Sequence, residues 1–177
     1  MSGVEYLSPG SVAEAVRALQ ADGARVMAGG TDLLVQMRVG RAKPKLVVDL
    51  KRIPGIADIR EEDSAFIIGA AATGAALGEH EALRKAWPGV VEAANLIGST
   101  QVRGRASLGG NLCNASPAAD SVPALIAAGA ICVIAGPNGE RVSYVGQVPV
   151  EGRSSTGRAA VSKTAGCRFK SCRPCSN

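Results

Sequence analysis

Aromatic residues are scarce in this chain: Phe, Trp and Tyr supply 3% of its 177 residues, whereas Gly occurs 22 times. A core with so few rings has to be filled by small side chains and by backbones that approach closely. Histidine is nearly missing too. The only one, His80, has the spacing of a helix-end residue, and no catalytic role is expected of it. A long unbroken apolar run is also lacking. The least polar stretch, Ser121 to Gly139, is interrupted by Pro123, Gly129, Gly136 and Pro137, and its dense part, Val122 to Ala135, is too short to span a bilayer. It reads as a core helix followed by a core strand. Met1 to Gly10 carries neither a basic nor an apolar leader segment, so a cytoplasmic location is the expectation.

An excess of one charge is absent from the body of the chain. The net charge is +5, yet residues 1–150 hold 14 Lys/Arg and 14 Asp/Glu, and the surplus lies in the last 27 residues, with 6 basic residues and 1 acid. A neutral body offers no basic face to a nucleic acid. Five Cys, an odd number with three crowded at Cys167, Cys172 and Cys175, do not describe a disulfide framework. What remains, 46% apolar and 20% charged residues, is ordinary globular usage in a chain long enough to bury a core without metal.

The pattern of turns and periods predicts the following elements. Val4 to Leu7 is a strand, and Ser11 stands three residues before Glu14 as a capping box requires, opening a helix from Val12 to about Leu19. Arg25 to Ala28 is a strand that runs into Gly29-Gly30, after which Leu33, Leu34 and Met37 share a helical face. Leu46 to Leu50 is a buried strand, and Ile56 to Arg60 and Ala65 to Ala70 form a pair across Glu61-Glu62-Asp63. Leu77 to Ile97 has helical spacing broken at Pro88-Gly89, which predicts two helices with Trp87 near the break. Gly98 to Pro117 shows no sustained period and reads as a linker or a binding loop. A helix from about Asp120 to Ala128 and strands Ile131 to Ala135 and Arg141 to Val145 around Pro137-Asn138-Gly139 follow. Strands and helices mix without a strict βαβ repeat, so the class expected is α+β.

Two segments carry chemistry. Ala28-Gly29-Gly30-Thr31-Asp32 sets a glycine pair between a strand and a helix start, where backbone N–H groups are available to an anion, Thr31 adds a hydroxyl and Asp32 is able to cap the helix. An ordinary strand-to-helix turn would look the same, and the G-x-G-x-x-G dinucleotide fingerprint is not present. The second, Ser107-Leu108-Gly109-Gly110-Asn111 with Asn114 and Asp120 beyond it, is polar but poor in charge, which suits either a large ligand held by backbone contacts or a surface loop. Two such loops in one short domain favour a nucleotide.

Taken in order, Met27-Ala28-Gly29-Gly30-Thr31-Asp32-Leu33-Leu34, Ile68-Gly69-Ala70-Ala71-Ala72-Thr73, Ile97-Gly98-Ser99-Thr100-Gln101-Val102-Arg103, Ser107-Leu108-Gly109-Gly110-Asn111-Leu112 and Ala115-Ser116-Pro117-Ala118-Ala119-Asp120 resemble the FAD-binding subunits of the xanthine dehydrogenase and carbon monoxide dehydrogenase family of molybdenum hydroxylases. The resemblance covers about residues 4–145. It implies an α+β, two-lobed FAD-binding domain of the vanillyl-alcohol oxidase type, with lobes at 1–55 and 56–150, without the family's smaller C-terminal domain. It further implies FAD as cofactor, and as partners a molybdopterin-containing large subunit and an iron-sulfur small subunit, whose electrons pass through this FAD to an acceptor. Ala28, Gly29, Gly30, Thr31, Asp32 and Leu33 would hold the pyrophosphate, and Ser107, Gly109, Gly110, Asn111 and Asp120 the rest of the cofactor, with Ala71 and Thr73 as additional candidates. No catalytic acid or base is implied, because the flavin performs the redox step.

Residues 151–177 depart from the family. They are rich in Ser, Arg and Cys and follow neither period, as a shifted reading frame would, and from Gly152 onward Val161 and Phe169 are the only large apolar residues, so a disordered tail is expected. Cys167, Cys172 and Cys175 match the C-x4-C-x2-C spacing of plant-type ferredoxins, but no fourth Cys follows, and the spacing is expected to be chance.

Overall fold

The computed structural model describes residues 3–63, 65–116, 119–147 and 167–172. The first 50 residues build a parallel sheet. Strands β1 (Glu5–Leu7), β2 (Ala24–Met27) and β3 (Leu46–Asp49) lie in the order β1-β3-β2, with Tyr6 opposite Val47 and Val26 opposite Val48. Parallel neighbours cannot be joined by a hairpin, and helices α1 (Val12–Ala18) and α2 (Leu33–Arg38) make the crossovers. A βαβ pattern is therefore present in this part, contrary to the sequence expectation, and is hidden in the sequence because its strands have only three or four residues. Helix α1 starts where Ser11 predicts: Ser11 Oγ accepts from Glu14 N at 3.2 Å, and Glu14 Oε2 accepts from Gly10 N at 2.8 Å, a cap worth about 1 kcal/mol.

The second sheet is antiparallel. It contains β4 (Ile59–Glu62), β5 (Ala65–Gly69), β6 (Ile131–Gly136), β7 (Gly139–Tyr144) and β8 (Cys167–Cys172), in the order β4-β5-β8-β6-β7. Among the described residues six helices connect β5 to β6: α3 (Gly74–Glu79), α4 (Glu81–Ala86), α5 (Pro88–Asn95), α6 (Thr100–Arg103), α7 (Leu108–Asn114) and α8 (Ser121–Ala127). A single apolar cluster runs from Leu19 and Val48 under the first sheet to Phe66, Leu77, Leu125 and Ile134 in the second part. Phe66 is fully buried and has the edge of His80 against its ring at 5.9 Å, so its truncation to Ala would cost about 3–5 kcal/mol.

Several expectations change. Leu77 to Ile97 falls in three helices, because His80 leaves the helical region (φ −78°, ψ 96°) and its Nδ1 accepts from Leu83 N at 3.1 Å, capping α4. Pro88 then opens α5, where its missing N–H costs nothing. Gly98 to Pro117, expected to be aperiodic, contains α6 and α7. Both are too short to show a period, and the hydroxyls of Ser99 and Ser107 cap them. Asp32 and Asp120 precede α2 and α8 in helical backbone conformation and make no capping hydrogen bond, so neither caps as expected. Finally, six residues of the expected disordered tail form β8. The cause is non-local: β8 fills the place between β5 and β6, pairing Ile68 with Phe169 on one side and Cys132 with Phe169 on the other, and so completes both ladders. The remainder of 151–177 lies outside the described residues.

Candidate functional site

Both glycine segments border one cavity of about 950 Å3. Ala28, Gly29, Gly30, Thr31, Asp32 and Leu33 line one side of it, and Ser107, Gly109, Gly110 and Asn111 the other. Ala71, Thr73 and Asp120 do not line it. Ala71 is buried and donates its N–H to Ile56 O; Thr73 Oγ1 caps α3 by accepting from Ala76 N at 3.2 Å; Asp120 is exposed ahead of α8.

The two segments interlock. Arg105 Nε donates to Gly29 O at 3.1 Å, and the Gly29 Cα lies so close to the second segment that a Cβ there would stand 1.9 Å from Arg105 O. Gly29 is thus demanded by protein packing as well as by any ligand. Gly109 is similar, since a Cβ would come within 2.5 Å of Ala70 O. Gly30 has φ +77°, a left-handed conformation that makes the turn out of β2. Ser107 is buried and spends its Oγ lone pair on Gly110 N at 3.1 Å, while Ser121 Oγ donates to Asn111 Oδ1 at 2.6 Å, leaving the Asn111 amide nitrogen as donor.

A strut supports the first segment from behind. Asp49, 4% exposed at the end of β3, accepts from Tyr6 Oη at 2.5 Å, from Lys51 N at 3.0 Å and from Lys51 Nζ at 2.6 and 2.7 Å. Burial pushes the Asp49 carboxyl up, but the hydrogen bonds from Lys51 and Tyr6 outweigh it and hold the group below the usual carboxylate range. Lys51 Nζ reaches on to Ala28 O at 3.1 Å. Across the cavity, Gln36 Nε2 of α2 donates to Asn114 Oδ1 of α7 at 2.9 Å. Lys51, Arg105 and Gln36 escaped the sequence reading; an isolated charged or amide residue outside any motif gives no signal, although Lys51 stands two residues after an Asp that ends an apolar strand.

The lining fits an extended anionic nucleotide. Among the described residues nothing accepts from the N–H groups of Gly29, Gly30, Thr31 or Asp32, and Gly29 is buried. An orphan buried amide is rare in folded proteins, so the Gly29 N–H points to a ligand acceptor, while Gly30 and Thr31 are half-buried and Asp32 is exposed beside it. The charged lining residues are Arg25, Arg41 and Lys43 against Asp32, a positive balance suited to a diphosphate, while Val26, Met27, Leu50 and Ile97 offer apolar surface to rings. Metal binding has no comparable support: among the described residues no group of three His, Cys, Asp or Glu gathers. No helix among them is long and apolar enough to cross a membrane.

An α+β fold with two interlocked glycine segments around a positive, amide-lined cavity defines a nucleotide-binding domain. Comparison with known proteins makes the class specific. Residues 2–152 match the family model described as the FAD binding domain in molybdopterin dehydrogenase. The carbon monoxide dehydrogenase medium chain of Hydrogenophaga pseudoflava is 39% identical over 150 residues, which cover 84% of this chain and 50% of that one. The xanthine dehydrogenase FAD-binding subunit of Escherichia coli O157:H7 is 32% identical over 130 residues, 73% of this chain and 43% of its own. The solved carbon monoxide dehydrogenase from H. pseudoflava that lacks the Mo-pyranopterin moiety of its molybdenum cofactor superposes with a TM-score of 0.88 at 31% identity, over 97% of this chain and 60% of that one. This chain therefore belongs to the family of FAD-binding domains of molybdopterin dehydrogenases. It spans about half the length of the relatives it matches.

Proposed function

We propose that this chain is the cofactor-binding part of the FAD subunit of a molybdenum hydroxylase complex, with 1–55 and 56–150 as two lobes around one FAD. The observation that carries this reading is the cavity between Gly29-Gly30 and Gly109-Gly110, with unengaged amides on one wall and positive charge in its lining. Bound FAD would supply the redox chemistry, taking up electrons from one partner and passing them to another. The chain's residues have a narrower task. Gly29 to Asp32 present amides to the diphosphate, Asn111 presents its side-chain nitrogen, Ile97 and Leu50 exclude water from the rings, and Gln36 with Asn114 ties the walls together. Asp120, Ala71 and Thr73 lie outside the cavity's lining and are kept only as outer candidate contacts for the cofactor.

The names of the relatives, medium chain and FAD-binding subunit, support an assembly in which a molybdopterin-containing large subunit and an iron-sulfur small subunit are the partners. The test is reconstitution: the purified chain is incubated with FAD, desalted and scanned. A yellow protein with two visible flavin bands and about one FAD per chain is expected. A colourless protein whose melting temperature FAD leaves unchanged overturns the reading.

A further inference from the structure

Two successive carbonyls of the first glycine segment are taken by cations that arrive from different parts of the chain. Ala28 O receives Lys51 Nζ and Gly29 O receives Arg105 Nε, both at 3.1 Å. A trans peptide points its N–H opposite to its C=O, and among the described residues no peptide is cis. Pinning these two carbonyls therefore fixes the direction of the next two amides, Gly29 N–H and Gly30 N–H, away from the cations. Those are amides on which no acceptor lies among the described residues.

We infer that Lys51 and Arg105 are positioning residues that aim the Gly29 and Gly30 amides at the diphosphate, and that they make the site select a flavin carrying a diphosphate over uncharged riboflavin. The inference rests on the FAD reading above and deepens it. Neither cation is among the residues lining the cavity, so both act through the backbone. Each is itself held. Lys51 is gripped by both oxygens of the buried Asp49, which Tyr6 fixes in turn, and the Arg105 main chain is wedged against Gly29. The cavity's own Arg25, Arg41 and Lys43 are free of this task and remain available for direct contact. A bland alternative has Lys51 as no more than a half-exposed partner that neutralises Asp49, and Arg105 as a loop staple. The two readings differ in what a mutant does to riboflavin and to the glycine amides.

The experiment compares K51M and R105M with K51R and R105K, each in the full chain. Affinity for FAD and for riboflavin is read by fluorescence titration, and the order of the Gly29 and Gly30 amides in the ligand-free protein by the heteronuclear 15N NOE. The expected result is an about ten-fold weaker FAD affinity for each Met variant, with riboflavin unchanged, lowered NOEs at both glycines, and recovery in the Arg and Lys variants. Equal losses for FAD and riboflavin, or unchanged FAD affinity with unchanged NOEs, overturn the inference. K51M strands a buried carboxylate and is at risk of misfolding. D49N/K51M removes the charge together with its partner and serves as the second variant, with the same expected loss. If the wild-type chain binds no flavin at all, the FAD reading fails by itself, and the NOEs alone then decide: loosened glycines in the Met variants support the positioning role, and unchanged ones overturn it.

Discussion

Gly29 and Arg105 hold each other across 76 residues of sequence: the Arg105 side chain donates to the Gly29 carbonyl, and the Gly29 Cα fits against the Arg105 carbonyl with no room for a Cβ. Bringing the two glycine segments together is thus a property of the folded protein and not of a bound cofactor. Gly29→Ala should accordingly lower stability as well as flavin affinity, by about 1–3 kcal/mol, since the clash is with backbone and the segments must part. Urea unfolding of the ligand-free chain checks this. A variant as stable as wild type would show that the junction opens without cost.

Tyr6 and Asp49 predict the pH dependence of stability. Asp49 titrates lower in the folded chain than in the unfolded one, so its contribution is present above the unfolded value of about 4 and is lost as pH falls through the lower folded value. D49N should flatten that acid limb. Tyr6 shifts the other way: its O–H donates to Asp49, and ionising it beside that carboxylate is unfavourable, so its pKa is raised. Its contribution is present below about 10 and is lost as pH rises through the raised value. Y6F should remove this alkaline loss. Urea midpoints measured from pH 3 to 11 test both limbs, and identical slopes in D49N and wild type would disprove the assignment.

Much of this arrangement was legible in the sequence because local chemistry dictates it. Ser11 caps α1, β2 runs into Gly29-Gly30, and the strands β6 and β7 meet across Pro137-Asn138, with Gly139 opening β7 opposite Gly136. Both glycine pairs do meet at one cavity. What could not be read depends on distant partners. Lys51 and Arg105 act on carbonyls 23 and 76 residues away, and a charge in sequence carries no mark of its acceptor. Thr73, expected as a ligand contact within a family motif, accepts from Ala76 N at the start of α3 and does not line the cavity, a placement its motif gives no sign of. The residues Cys167 to Cys172 lie in a segment of odd composition, and only the edges of β5 and β6, strands that end at Gly69 and begin at Ile131, give them a place.

Because β8 is central in its sheet, ending the chain at Gln147 should be costly. Ala65 to Gly69 and Ile131 to Ile134 would each lose a ladder, and the side chains of Phe66, Ile68, Cys132 and Ile134 buried along those strands would lie beside open edges. Unpaired edges next to apolar surface promote association between chains. The truncated protein is expected to melt at lower temperature and to elute as aggregates in size-exclusion chromatography. A monomeric truncation with unaltered melting would mean that the sheet closes without β8.

The hydrogen bond from Gln36 to Asn114 spans the cavity between α2 and α7, and both residues line it. A neutral side-chain pair of this kind is worth about 0.5–1.5 kcal/mol, too little to decide whether the domain folds, yet enough to change how long a ligand stays between the walls. Q36A and N114A should each speed FAD release, by up to about ten-fold, while the melting temperature of the ligand-free chain changes little. The bond itself, as distinct from separate contacts of each residue with the ligand, is isolated by the double variant. If the pair acts as a clasp, Q36A/N114A releases FAD no faster than either single variant, because the second substitution has nothing left to break. Stopped-flow displacement of FAD gives the rates. Fully additive effects in the double variant would show that Gln36 and Asn114 touch the cofactor independently and that the walls are held together by the Gly29–Arg105 junction alone.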